Sequence, residues 1–153
     1  MRLECTSLLA CPVERLRDEL ERTALFHYVT APMLVFVPVD PPEFPERWAP
    51  GKYRVRLLVG GRLPIGEHTL NPQADVSGDE VWHDPGYSPL IRLWEHRIVL
   101  EDAYGMTRYH DRVEIRAGLL TPVAWLFAKA FYTHRQRRLN RLVAADFDYA
   151  RLC

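Results

Sequence analysis

The chain ends in one long helical segment, Thr121 to about Ala145, and the stretch before it, from about Gly51 to Ala117, alternates as strands do. A lone helix set against many strands leaves few architectures open. It covers part of one face of a sheet and cannot close a wide face completely. The expected fold class is therefore α+β. The C-terminal helix lies over a curved antiparallel sheet, and apolar space remains between them.

The helix carries a start signal. Gly118 breaks the sheet, Thr121 fits an N-cap, and Pro122 fits the first turn. Val123, Phe127, Ala130, Phe131 and His134 fall on one helical face, with Leu126 at its border. Arg135, Arg137, Arg138 and Arg141 read as solvated cations in the later turns, where the macrodipole favours positive charge.

Before the helix, Leu3, Cys5, Ser7 and Leu9 alternate with Glu4, Thr6 and Leu8 as a first strand. Pro12 then opens a helix running to about Arg22, and a second short helical piece reaches about Tyr28. Prolines crowd from Ala31 to Pro50, so a short strand within Met33–Val39 and an ordered covering loop are expected. Tyr53, Val55 and Leu57 alternate with charges. Gly60-Gly61 predicts a two-residue hairpin pairing Arg54 with Glu67, with the inner set opposite His68, Gly66 and Pro64. Asn71–Asp79 reads as a loop, and Glu80–Asp84 as a short strand stopped by Pro85-Gly86. Leu90–Leu100 and Tyr104–Ala117 read as long strands joined near Glu101–Ala103. Trp94, His96, Ile98 and Leu100 share one face of the first. Thr107, Tyr109, Asp111, Val113 and Ile115 share one face of the second, and Arg108, His110, Arg112, Glu114 and Arg116 face solvent.

The 153 residues fit a single domain, 1–153. A formal net charge of zero argues against broad capture of nucleic acid or anionic membrane. No run of about 18 apolar residues suggests a membrane span. Cys5, Cys11 and Cys153 form no metal-type pair, and their odd number suits a reducing compartment. Glu4 and Glu14 interrupt any signal-peptide core, so a cytoplasmic monomer or homodimer is expected.

The strings IGEHTL, VWHDPGYSPLIRLWEHRIVL, TRYHDRVEI and LLTPVAWLFAKAFYTHRQRRL, between Ile65 and Leu142, resemble the SRPBCC or START-like superfamily. That superfamily has the helix-grip fold and includes polyketide cyclases and plant carriers of hydrophobic ligands. The resemblance implies a sheet wrapped around the long helix and a pocket for a lipid-like or aromatic molecule. It fixes neither ligand nor chemistry.

His96 and Asp111 are the sharpest candidate pair, since parity puts both on the inner face of neighbouring strands. Two readings fit them. A carboxylate that orients an imidazole and raises its pKa makes a general acid/base. A hydrogen bond that satisfies two buried polar groups needs no chemistry at all. His68, His83 and His96 lack the spacing of a compact metal motif, so neither metal nor cofactor is expected. Tyr53, Trp94, Tyr109, Trp125, Phe127 and Phe131 are the expected aromatic pocket wall, or else a filled core. With Val55, Leu57, His68, His96, Ile98 and Asp111, all of these but Trp125 make up the expected ligand site. The expected partner is a small apolar molecule. The alternatives are a cyclase or dehydratase using the His-Asp pair, and a structural or interaction protein.

Overall fold

The computed structural model describes residues 1–74 and 78–152. Cys153 and part of the expected Asn71–Asp79 loop lie outside the described residues. In chain order the elements are β1 (Arg2–Leu9), α1 (Val13–Leu20), α2 (Thr23–Thr30), β2 (Leu34–Asp40), β3 (Tyr53–Val59), β4 (Leu63–Leu70), β5 (Gln73–Ala74), β6 (Glu80–Gly86), β7 (Leu93–Ala103), β8 (Met106–Arg116) and α3 (Thr121–Ala144). One sheet has the order β1-β8-β7-β6-β5 and another β2-β3-β4, with every pair antiparallel. The long helix α3 packs on β1, β8 and α2. This is the α+β, helix-grip arrangement expected from the sequence.

The two sheets are one curved surface interrupted by chemistry. Thr69 pairs with Tyr87, and Gln73 pairs with His83, in a common register. Between them Asn71 and Pro72 would face Pro85 and Asp84. Pro85 lacks the N–H that would donate across to Asn71, so the ladder cannot continue there. The Asn71 N–H donates instead to Asp84 Oδ1 at 2.7 Å. The seam thus replaces a backbone acceptor with a carboxylate. Pro85 does not end β6 as expected, because it needs no donor on the side away from β7.

Hairpin geometry differs from the sequence reading at two places. Tyr53 pairs with Leu70, Val55 with His68, and Arg56 rather than Arg54 with Glu67. Gly60 and Gly61 both take positive φ, but the loop includes Arg62, and a bulge at Ile65–Gly66 absorbs the offset. The β7–β8 turn is Tyr104-Gly105, both at positive φ, so β7 continues through Glu101–Ala103.

Helix α3 presents a different face from the one apolar periodicity suggested. Val123, Leu126 and Ala130 are exposed, while Ala128, Phe131, Tyr132, Arg135, Gln136, Leu139, Leu142 and Val143 are buried. A hydrophobic count misses this stripe because its middle is polar. Thr121 does not cap the helix. Its Oγ1 accepts from Ala117 N–H at 2.9 Å and donates to Gly118 O at 2.7 Å, fastening the preceding turn. His110, expected in solvent, is buried against β1, where Thr6 and Glu4 meet its Nδ1 at 3.0 and 3.1 Å.

Apolar packing surrounds this polar stripe on both sides. Leu9, Leu16, Val29, Leu100 and Leu142 form part of one cluster, and Phe36, Val55, Ile115, Ala128 and Phe131 part of another. Each such large side chain contributes about 1.5–3 kcal/mol by leaving water.

Candidate functional site

A cavity of about 430 Å³ lies between the sheet and the first half of α3. Period-two alternation along β3, β4, β6 and β7 delivers Leu57, His68, Trp82, Asp84, Trp94, His96 and Ile98 to its wall. Helix α3 supplies Ala124, Phe127, Phe131, Tyr132 and Arg135, and α2 closes one end with Leu25 and Phe26. Ile65, Leu90, Leu120 and Val123 line it and are also exposed, so they mark its mouth.

Of the expected site residues, Leu57, His68, Trp94, His96, Ile98, Phe127 and Phe131 come together on this wall. Tyr53, Val55, Tyr109 and Asp111 do not reach it. Tyr53 is covered by the proline-rich segment, packing on Phe44 and Trp48 and donating from its hydroxyl to Ala49 O at 3.0 Å. Val55 is fully buried in the core beside it. Tyr109 and Asp111 lie under the later turns of α3. Trp125 faces away, donating to Arg2 O at 2.9 Å. The segment's Trp48 does line the cavity, as do Ser88, Leu90 and Ile91 after β6.

His96 Nε2 and Asp111 Oδ1 are 2.7 Å apart. Asp111 also accepts from Tyr109 OH at 2.9 Å on Oδ1 and from Gln136 Nε2 at 3.1 Å on Oδ2. Burial alone would push the Asp111 carboxyl up. The Arg135 charge and the hydrogen bonds from His96 and Tyr109 outweigh it and hold the group ionised. Burial also dominates at His96 and lowers its pKa despite Asp111, contrary to the expected rise. His96 is thus neutral, with Nε2–H donating to Asp111. Its Nδ1 is left as an acceptor without a partner among the described residues, on a residue that lines the cavity.

Sequence reasoning missed four buried polar residues here: Asp84, Tyr132, Arg135 and Gln136. Asp84 stands directly across from His96 in the β6–β7 pair, and burial pushes its carboxyl up to about 6. Its parity with Trp82 was the available signal. Tyr132 OH accepts from Trp94 Nε1 at 3.0 Å. Gln136 donates to Cys5 O at 2.7 Å and accepts from Ser7 Oγ at 2.6 Å, tying α3 to β1. Arg135 is 8% exposed and its Nε has no acceptor among the described residues. Spacing from Ala128 and Phe131 to Leu139 and Leu142 places Arg135 on the inner stripe, but its charge argued for solvent.

Burial pushes His68, on the opposite wall, down to about 4. His83 belongs to the other face of β6 and pairs with Glu95 at 2.9 Å, so the three histidines do not converge. Among the described residues no group of three His, Cys, Asp or Glu side chains is placed to hold a metal ion. No helix among them is long and apolar enough to cross a membrane.

No curated protein matches the chain. Solved structures share its fold at low identity. A START superfamily protein from Mycobacterium smegmatis aligns with TM-score 0.62 at 12% identity, over 94% of this chain and 97% of that one. The Zhui aromatase/cyclase from Streptomyces sp. R1128 aligns with TM-score 0.57 at 15% identity, over 97% and 93%. Protein CV1439 from Chromobacterium violaceum aligns with TM-score 0.66 at 15% identity, over 93% and 96%. These likenesses establish an SRPBCC or START-like fold. Residues 32–143 match the family described as a domain of unknown function (DUF8410), and the chain belongs to that family.

Proposed function

We propose that the protein binds a small, largely apolar molecule between its sheet and α3. The cavity carries this reading: about 430 Å³, walled by aromatic and aliphatic side chains with a few polar groups on one side. A space of that size suits a ligand of drug-like dimensions. Affinity would come from apolar area leaving water, at roughly 25 cal/mol per Å² before ordering costs. The exposed Leu120, Val123 and Leu90 at the mouth give an apolar entrance.

Extraction of the purified protein and mass spectrometry for co-purified small molecules test this directly. Titration with an apolar fluorescent dye supplies a second measure. Ala124 lines the cavity from the helix, so Ala124→Phe fills the space with little change elsewhere. Dye binding is expected to fall at least tenfold in that variant. Unchanged binding would place the dye elsewhere and remove the support.

A second reading, a cyclase- or dehydratase-like enzyme, rests on the free Nδ1 of a neutral His96 held by Asp111. That nitrogen would take a proton from a bound polyketide-like substrate. His96→Ala separates the two. Lost turnover with binding retained favours the enzyme, and weakened binding without turnover to lose favours the carrier.

A further inference from the structure

We infer that the molecule held in this cavity is an acid, a monocarboxylate with an apolar body, and that its carboxylate seats on the Arg135 guanidinium. This rests on the binding reading above and names the ligand class for the same site.

The argument begins with how Arg135 is neutralised. Asp111 is the carboxylate whose charge acts most strongly on it. Yet the Asp111 oxygens are occupied by His96, Tyr109 and Gln136. Among the described residues no carboxylate stands within ion-pairing distance of Arg135, and its Nε–H has no acceptor. The charge is balanced and the Tyr109 hydroxyl meets the guanidinium, but the Nε–H side of the planar fork is left unused. Tyr132 and Phe131 pack beside the guanidinium, with Cζ 5.2 and 6.0 Å from their ring centroids, and hold it on the cavity wall.

A buried donor without an acceptor is costly, and a buried cationic one more so. A purely hydrocarbon ligand would shut Arg135 away from water and leave that cost in place. A carboxylate meets the fork with two parallel N–H···O bonds, which suit arginine better than any other side chain. Tyr132 adds a hydroxyl proton, since its oxygen accepts from Trp94. The apolar remainder of the acid then lies along Phe131, Phe127 and Trp94 towards the mouth.

Two carboxylates also line the cavity. Glu67 is exposed and stays in solvent. Asp84 is buried, with Oδ1 accepting from Asn71 N–H. Burial raises its carboxyl to about 6, close enough to neutrality for an arriving anion to draw a proton onto Asp84 rather than be expelled.

The test uses the purified full chain and two matched probe pairs: decanoic acid with decanol, and naphthoic acid with naphthalenemethanol. Calorimetry gives each affinity. The pairs separate aliphatic from aromatic acids. At least one acid is expected to bind about tenfold more tightly than its alcohol. In Arg135→Met that preference should collapse while the alcohol still binds. Arg135→Gln, which keeps a polar side chain without the charge, repeats the measurement should the methionine variant not fold. Arg138→Met is the control. Arg138 stacks on Tyr28 outside the cavity, and its loss should leave the preference intact. Acids and alcohols bound equally by the unaltered protein would overturn the inference and leave the binding reading standing. A preference that survives both Arg135 variants would also overturn it. If no probe binds, both readings fall.

Discussion

His96 and Asp111 meet at 2.7 Å although they are not opposite one another, since Val113 stands across from His96 and Ile98 across from Asp111. The contact is diagonal, within reach because both side chains lean along the same inner face. It places a fully buried carboxylate where β7, β8 and α3 converge. Asp111→Asn keeps the shape and removes the charge, leaving the buried Arg135 without the carboxylate that acts most strongly on it. The expected loss of stability is about 3–5 kcal/mol by urea denaturation. A loss under about 1 kcal/mol would mean that Asp111 does not balance the Arg135 charge.

Asp84 has the opposite sign of effect. Its folded pKa of about 6 lies above the ordinary 3.8, so its contribution to stability is fully present below about 3.8 and lost as pH rises through 6. Asp84→Asn retains an oxygen for Asn71 N–H and removes the charge. At pH near 7.5 the variant should be more stable than the parent by roughly 1–3 kcal/mol. The difference should shrink towards zero as the pH is lowered to about 4. Paired denaturation curves across that range decide it, and a constant difference would refute the assignment.

Gly86 is needed for the placement of His68. A Cβ at position 86 would stand 2.5 Å from His68 Nε2 and 3.2 Å from Thr69 O. Gly86→Ala should push the imidazole off β6 and cost about 1–3 kcal/mol through overpacking. Combining it with His68→Ala should recover most of that cost, because the clash then has no partner. Additive losses in the double-mutant cycle would show that the backbone, not the imidazole, bears the strain.

The seam between β4 and β6 has its own signature. Thr69 N–H donates to Tyr87 O at 3.0 Å, and Tyr87 N–H to Thr69 O at 3.3 Å. Pro85 keeps the ladder from extending past it. Amide hydrogen exchange at Thr69 and Tyr87 should therefore be markedly faster than at Val99 and Tyr109 in the unbroken β7–β8 ladder. Equal protection would mean that the seam opens only with the whole molecule.

Much of the architecture was legible because alternation and helical period are robust signals. Inner-face parity along β7 and β8 placed His96 and Asp111 together, since a strand has only two faces. Turn positions were less legible. A glycine pair permits positive φ at Gly60-Gly61, but it does not fix loop length. Tyr104 takes positive φ without any residue-type signal. The polar half of the site was hidden for a different reason. Arg135 and Gln136 look like surface residues unless Asp111 and β1 are known to lie beneath them. Asp84 meets the Asn71 N–H because Pro85 interrupts a backbone ladder, a relation visible only once the strands are side by side.

The Gln136 anchor has a consequence for how anything gets in. It grips Cys5, Ser7 and Asp111 at once, so the later turns of α3 cannot slide or roll without breaking all of those bonds. The opening turns meet the sheet through one hydrogen bond, Trp125 Nε1–H to Arg2 O, and Leu119, Val123 and Leu126 stand bare. The rod is fastened more heavily at its later end, so a molecule bound as proposed would enter beneath its opening turns.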